Sequence, residues 1–567
     1  MAATRARVFL ASAIAGTVLV TWPAAAPVAS DHRSIVHVLN RLGYGPTAAA
    51  IEQVKRAGVQ SYVEAQLGPE RLPDTAMAAR LSGFTTLSKS SRDLAADYFM
   101  PAMLERRNAQ RRAGQTGVSD PPPATGQAAP RTPEQAEAMR MQRMVIAELS
   151  QQRILRAAYS ERQLEEVLVD FWMNHFNVFV GKGQVRNYLT EYERDAIRPR
   201  VLGKFRDLLG ATAHSPAMLF YLDNWQSAAP EGAATTADAQ RNRDSMRRRM
   251  PGPGPGLPNG RRRLQDPDMR GRQVPGDPAM PPQQRSRGIN ENYARELMEL
   301  HTLGVDGGYT QKDVQEVARA FTGWTIANPR LGGGFHFDPR RHDDGGKIVL
   351  GQRIKAGGGQ SDGDAILDLL ARHPSTARFI ATKLARRFVA DDPPAALVDR
   401  AARKFKDTDG DIREVVRTIV TSPEFLGDGY RRAKTKNPFE FVVSAVRATG
   451  LDISNALPLV QSLRDLGMPI YGAQPPTGYA DKADAWVNSG ALLGRMNFAV
   501  ALTSGRMRTL GATRSQNPPN AEEARRSMFS VALADDVSAS TAATVAKATT
   551  PAQTVALILG SPEFQKR

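Results

Sequence analysis

Two short stretches concentrate groups able to move protons or hold a metal ion. The first, HFDPRRHDDGGK, gathers His336, Asp338, His342, Asp343, Asp344 and Lys347 within twelve residues. Imidazole and carboxylate suit zinc or another divalent ion, and the same groups serve in acid–base steps. His336, His342 and Asp343 are the candidate metal ligands, with His342 and Asp343 the candidate acid–base pair. Strand alternation would put His336 and Asp338 on one face. Asp343-Asp344-Gly345-Gly346 is equally ordinary turn chemistry.

The second stretch, NENYARELMELHTLG, spans residues 290–304. On a regular helix Asn292, Arg295, Glu296 and Glu299 share one side, and Tyr293, Leu297, Met298 and Leu300 take the other. Glu296 and Glu299 are candidate ligands or general bases, with Asn292 and His301 as further pocket candidates. His301 falls about 140° from Glu296 and about 160° from Glu299. Acids and imidazole therefore cannot meet at one ion from the same straight helix. The stretch also reads as a capped helix, with Asn290 at its start, Gly304 at its end and four-residue Glu–Arg pairs between. His175 is the last candidate. It lies on the apolar stripe Leu168, Phe171, Trp172, His175, Phe179, opposite Asp170, Asn174 and Asn177. An imidazole on such a stripe is more often a hydrogen-bonded core group.

The elements that must position these groups are helical. IVHVLNRLGYGPTAAAIEQVKRAGVQSYVEAQL reads as helix, Gly/Pro turn and two more helices, and EQAEAMRMQRMVIAELSQQRILRAAYS continues the pattern. Thr310 followed by Asp313 predicts a near capping box. Asp411 followed by Glu414 predicts another cap, and the spacing around DTDGD does not fit a calcium loop. VVRTIVTSPEF echoes in TVALILGSPEF and, more faintly, in LLGATAHSPAM: a helix stops before Ser-Pro and the proline opens the next. Only the region near 334–351 alternates as strands do. It predicts a small hairpin or ordered loop around Gly345-Gly346. The fold class is mainly α: a multi-helix globular body with that minor β element and two disordered inserts.

Composition sets the surroundings. Arg5 and Arg7, the apolar run to Val20 and the small residues of PAAAPVAS form a secretory signal over residues 1–29. No second long apolar run follows, so no membrane span is expected in the mature chain, which would be periplasmic or extracellular. The chain has no cysteine, which excludes disulfides, thiolate metal sites and cysteine catalysis. H-E-x-x-H, G-x-S-x-G and P-loop patterns are absent. The formal charge of +17 becomes +15 once Arg5 and Arg7 leave. Such a balance suits an anionic envelope polymer as partner. Without aromatics among the basic residues it does not suit specific nucleic-acid binding. The Pro/Ala/Gly-rich stretch 106–137 and the longer 226–289, with twelve arginines against six acids, cannot repay the entropy of ordering. They separate an N-terminal helical region (30–105) from core segments at 138–225 and 290–567.

Taken together, LNRLGYGPT, FWMNHF, NENYARELMELHTLGVDGGYT, AFTGW, HDDGGK, HPSTARFIATKLARRFVADDPP, SPEF, NPFEFVVSAVRATG and WVNSGALLGRMNFA resemble the bacterial exported family called domain of unknown function 1800. The pieces occur in family order across nearly all the mature chain except the two inserts. The resemblance implies an exported, mostly helical protein and a secreted partner of a sulfatase- or phosphatase-like family. It carries no activity. Its motif includes the positions of Asn292, Glu296, Glu299, His301, His342 and Asp343. The resulting expectation is a polar pocket walled by the Asn292–His301 helix, the His336–Lys347 loop and His175. A metal-assisted hydrolase and a noncatalytic scaffold for an anionic polymer are its rivals.

Overall fold

Short polar side chains start most of the helices. The computed structural model describes residues 31–115, 132–249, 288–507, 510–511 and 520–567. Helix α1 (His32–Arg41) opens on Asp31, whose carboxylate accepts the Ser34 N–H at 2.7 Å. Helix α2 (Pro133–Tyr159) opens on a Thr132–Gln135 capping box with proline at its first position. After it come α3 (Gln163–His175), α4 (Glu291–Glu299) and α5 (Gln311–Ala320), the last closed by the reciprocal Thr310–Asp313 box. Helices α6 (Ser361–Arg372) and α7 (Pro374–Phe388) pack in sequence, and α8 (Ile412–Val420) starts on Asp411 as the Asp–Glu spacing requires. Pro423 and Pro216 each open a helix after a serine cap, and α9 (Pro438–Thr449) carries an Asn437–Glu440 box. The third Ser-Pro, at 561–562, makes only a turn.

One continuous apolar core runs from Ile35 to Phe564 and takes in residues from all three helical segments. Each fully buried Leu, Ile, Val or Phe contributes about 1.5–3 kcal/mol by leaving water. Leu94, Tyr98, Phe99 and Val145 form a small satellite. No described helix is long and apolar enough to cross a membrane.

Among the described residues the β structure is two antiparallel hairpins and a two-residue antiparallel pairing of Asp452–Ile453 with Leu510–Gly511. Strand β1 (Trp324–Ile326) pairs with β2 (Phe335–Phe337) in the register Trp324↔Phe337, and β3 (Lys347–Val349) pairs with β4 (Gln352–Ile354) in the register Lys347↔Ile354. The strands flanking Gly345-Gly346 therefore pair away from one another. The tight turn is Leu350-Gly351, with φ of 51° and 77°. Of the hairpin or ordered loop expected around Gly345-Gly346, the ordered loop is found, running between the two hairpins. Helix also enters both insert spans. Helix runs to Gln115 in the first, and in the second a helix spans Thr236–Arg249. Residues 1–30, 116–131 and 250–287, which hold the expected signal, half of the first insert and most of the second, lie outside the described residues.

A chain of alternating charges crosses the interior. Glu166 pairs with Arg198 at 2.6 Å, Arg198 with Glu193 at 3.0 Å, and Glu193 with Arg153 at 3.6 Å. Arg153 reaches Asp170 at 2.6 Å, Arg387 approaches Asp170 at 3.8 Å, and Arg387 and Arg567 share Glu440 at 2.5 and 2.9 Å. Burial alone would raise the Glu440 carboxyl, but Arg387 and Arg567 hold it at about 2. A carboxyl depressed from an ordinary 4.5 stabilises the fold above that value, and the contribution disappears as pH falls toward 2. The urea midpoint should drop across that window, and Glu440→Gln should flatten the drop while lowering the midpoint at neutral pH. An identical acid profile in the variant would assign the loss to other carboxylates.

Candidate functional site

Helix α3 ends at His175 and turns its polar stripe, Asp170 and Asn174, toward a strap of chain at 471–481. The Asn174 amide bonds the strap as a strand would: it accepts the Tyr479 N–H at 2.7 Å and donates to the Tyr479 carbonyl at 2.8 Å. Asn177 donates to the Ala473 and Pro475 carbonyls at 3.0 and 2.9 Å. Gly478 sits at φ +72°, and a Cβ there would meet the Asn174 backbone and side-chain oxygens at 2.4 Å. Only glycine allows this approach.

Helix α7 supplies the opposite wall. Pro374 sets its start, and its apolar face buries Ile380, Ala381 and Leu384. That leaves Lys383, Arg386 and Arg387 at helical spacing on the side facing α3. Between the walls lies a cleft of about 190 Å³ lined by Asn174, His175, Lys383, Arg386, Tyr479 and Asp481, among others. Asp170 and Arg387 also line it, so one link of the interior charge chain forms its floor.

Lys383 Nζ stands 2.8 Å from His175 Nδ1, and His175 Nε2 lies 3.1 Å from the His301 carbonyl. A carbonyl only accepts, so the ring hydrogen is on Nε2 and Nδ1 offers a lone pair to Lys383. Burial, then the Lys383 charge, pushes the His175 imidazolium far below its ordinary range, which keeps the ring neutral. Burial also brings Lys383 down to about 8, with Asp481 opposing and Arg386 adding to the shift. His301 is pushed to about 3 by burial and by Lys383, and its Nε2 is buried without a partner.

The acids of the cleft are already engaged: Asp170 with Arg153, and Asp481 with Lys434 at 2.9 Å. Lys383 and Arg386 differ. Among the described residues neither has a carboxylate within 4.0 Å, and Arg386 is held only by its Nε on the Asp391 carbonyl at 2.9 Å.

The structure brings together two of the candidates named from sequence, His175 and His301, with ring centroids 6.2 Å apart. It divides the others. Glu296 is half-buried beside Tyr221, its carboxyl raised by burial and then by Glu299, and Glu299 accepts the Tyr309 hydroxyl at 3.0 Å. Asn292 and His336 are exposed. Asp338 follows β2 and pairs with Arg340 at 3.0 Å. Asp344 accepts the Thr236 hydroxyl at 2.9 Å, so the start of the second insert is built into this loop.

His342 and Asp343 do not face one another. Fully buried, His342 places Nδ1 2.7 Å from the Thr322 carbonyl and Nε2 3.2 Å from Asp362 Oδ2. Asp343 receives both arms of Arg319 at 3.0 Å, and buried Lys347 joins Asp362 to the Asp343 carbonyl. Arg319 and Lys347 stand among Asp343, Asp362 and the Glu316 carboxylate that also holds Arg319. This closed network pins the second hairpin to α5 and α6. Glu296 and Glu299 share no hydrogen bond or ion pair with it. Among the described residues no three His, Asp or Glu side chains are grouped to hold a metal ion. The cleft lies between α3, α7 and the strap, and of the walls expected for a polar pocket it contains His175.

A family model described as "Protein of unknown function (DUF1800)" matches residues 37–566, nearly the whole chain. The chain belongs to the DUF1800 family. No curated protein and no solved structure matches it. In this DUF1800 protein the cleft draws on FWMNHF for His175 and on HPSTARFIATKLARRFVADDPP for Lys383, Arg386 and Arg387. Sequence reading overlooked those three because a basic run on a helix normally marks a solvated face. Their signal was the i, i+3, i+4 spacing. Asp362 and Arg319 carried none.

Proposed function

We propose that this DUF1800 protein is exported and binds an anionic group of envelope or extracellular material in the α3–α7 cleft, working beside a secreted partner. The signal-like leader supports the location. The observation that carries the binding role is the pair Lys383 and Arg386, set side by side on the wall of a concave site without carboxylate partners among the described residues. Both are partly buried, and withdrawing cations from water is costly unless an anion compensates. A bound carboxylate or phosphate would supply that charge, and Arg386 offers a planar fork to it.

Titration calorimetry with glucuronate and glycerol phosphate tests this. At least one should bind saturably, and Arg386→Met should weaken it tenfold or more, about 1.4 kcal/mol. Binding should also weaken as pH rises through about 8, because Lys383 then loses its proton and its attraction for the anion. Binding of neither probe, or equal binding by the variant, would overturn the reading.

A further inference from the structure

We propose that Lys383 is a nucleophilic amine that condenses with the carbonyl of a small 2-oxo or aldehydic acid whose carboxylate rests on Arg386. The proposal rests on the cleft being a ligand site and adds the chemical class of the ligand. Several buried cations here are held by acids, Arg153 by Asp170, Arg387 by Glu440, Lys347 by Asp362 and Lys434 by Asp391, whereas Arg41, Arg447 and Arg495 bond backbone carbonyls and Lys436 has no carboxylate within 4.0 Å among the described residues. Lys383 instead meets a neutral imidazole nitrogen at 2.8 Å. The tautomer is locked from behind by the His301 carbonyl, so the nitrogen facing Lys383 can only accept. The amine lines the cleft with no carboxylate within 4.0 Å among the described residues, Asp481 acting on it only from farther off. Its depressed protonation, near 8, makes the free amine available in mildly alkaline solution. Arg386 is one turn along the same helix, close enough for a carboxylate adjacent to the reacting carbonyl. A cleft of about 190 Å³ suits a ligand of a few heavy atoms.

The step balances without a redox partner. The Lys383 nitrogen lone pair forms the C–N bond as the carbonyl π pair moves to oxygen. That oxygen takes one proton from the nitrogen and gives a carbinolamine. Loss of the hydroxyl with the second nitrogen proton releases water and leaves the imine. His175 acts here as a positioning residue.

The test uses the whole mature protein with glyoxylate and cyanoborohydride at pH 8.5, followed by peptide mass mapping. Reduction of the imine leaves a carboxymethyl group on the reacting lysine. Lys383 should label at least tenfold faster than exposed Lys312 and Lys55, with half-maximal rate near pH 8. His175→Leu, which removes the acceptor that favours the ammonium, should move that midpoint downward, while His175→Gln, which keeps an acceptor, should largely restore it. Labelling of Lys383 no faster than of the surface lysines would overturn the proposal, and this comparison needs no variant. Glucuronate or glycerol phosphate binding that persists without labelling would leave an anion site and remove the amine chemistry. Labelling without binding of those two anions would do the reverse.

Discussion

Replacing Glu193 by alanine is expected to lower the free energy of unfolding by about 3–5 kcal/mol, the cost of leaving buried charge uncompensated. Glu193 is fully buried in a π-helical turn, Tyr192–Ile197. It accepts from Arg198 at 3.0 Å, from Gln152 at 3.2 Å and from the Tyr471 hydroxyl, and it lies 3.6 Å from Arg153. Its removal leaves Arg153 with Asp170 and Arg198 with Glu166 around a void, each short of one acid, and orphans the Gln152 and Tyr471 donors. Urea denaturation should show the midpoint falling with the slope unchanged. Glu137→Ala, at an exposed i,i+3 pair with Arg140, is the control and should not shift the midpoint measurably. Equal midpoints for the two variants would mean that Arg153 and Arg198 find compensation elsewhere. Tyr471 also sits at φ 56° at the start of the strap, so this substitution should loosen the cleft as well as the fold.

The second large effect is expected at Asp362. One carboxylate oxygen serves both Lys347 Nζ and His342 Nε2, and both of those side chains are fully shielded from solvent. Asp362→Ala strands two buried donors at once and should also cost about 3–5 kcal/mol. Asp362→Asn keeps an acceptor but not the charge and should cost less. The damage should begin locally, because the network is what fastens β3–β4 to α5 and α6. Hydrogen exchange should therefore speed up over Lys347–Ile354 before the global midpoint is reached. If those amides stay as protected as in the parent, apolar packing at Val349 rather than the ionic network holds the hairpin.

What sequence makes legible divides along the length of the interactions. Thr310 with Asp313, Asp411 with Glu414 and Ser422 before Pro423 were all readable, since a cap and its partner lie within one turn. The mainly helical body was readable for the same reason, from apolar stripes. The turn of the second hairpin was not readable because a type I′ turn prefers Asn-Gly, whereas here Leu350 takes the first left-handed position, with its N–H tied to Asp313 at 2.7 Å. Gly345-Gly346 carried the turn signal instead, yet Gly345 merely donates to Asp343 Oδ1 at 2.9 Å. His342 was a reasonable candidate by type, but its partner Asp362 lies 20 residues on in a stretch without a motif. The cleft was the least visible feature. His175 and Lys383 are 208 residues apart, and nothing in either segment announces the other.

The Asn174–Tyr479 clamp joins positions 305 residues apart, so the cleft is a late product of folding. Loop closure over such a span is paid before any contact rewards it, and helices nucleate far sooner. A refolding chain should therefore regain its circular dichroism well before it can capture a small acid. The delay between the two signals would time the moment the strap seats.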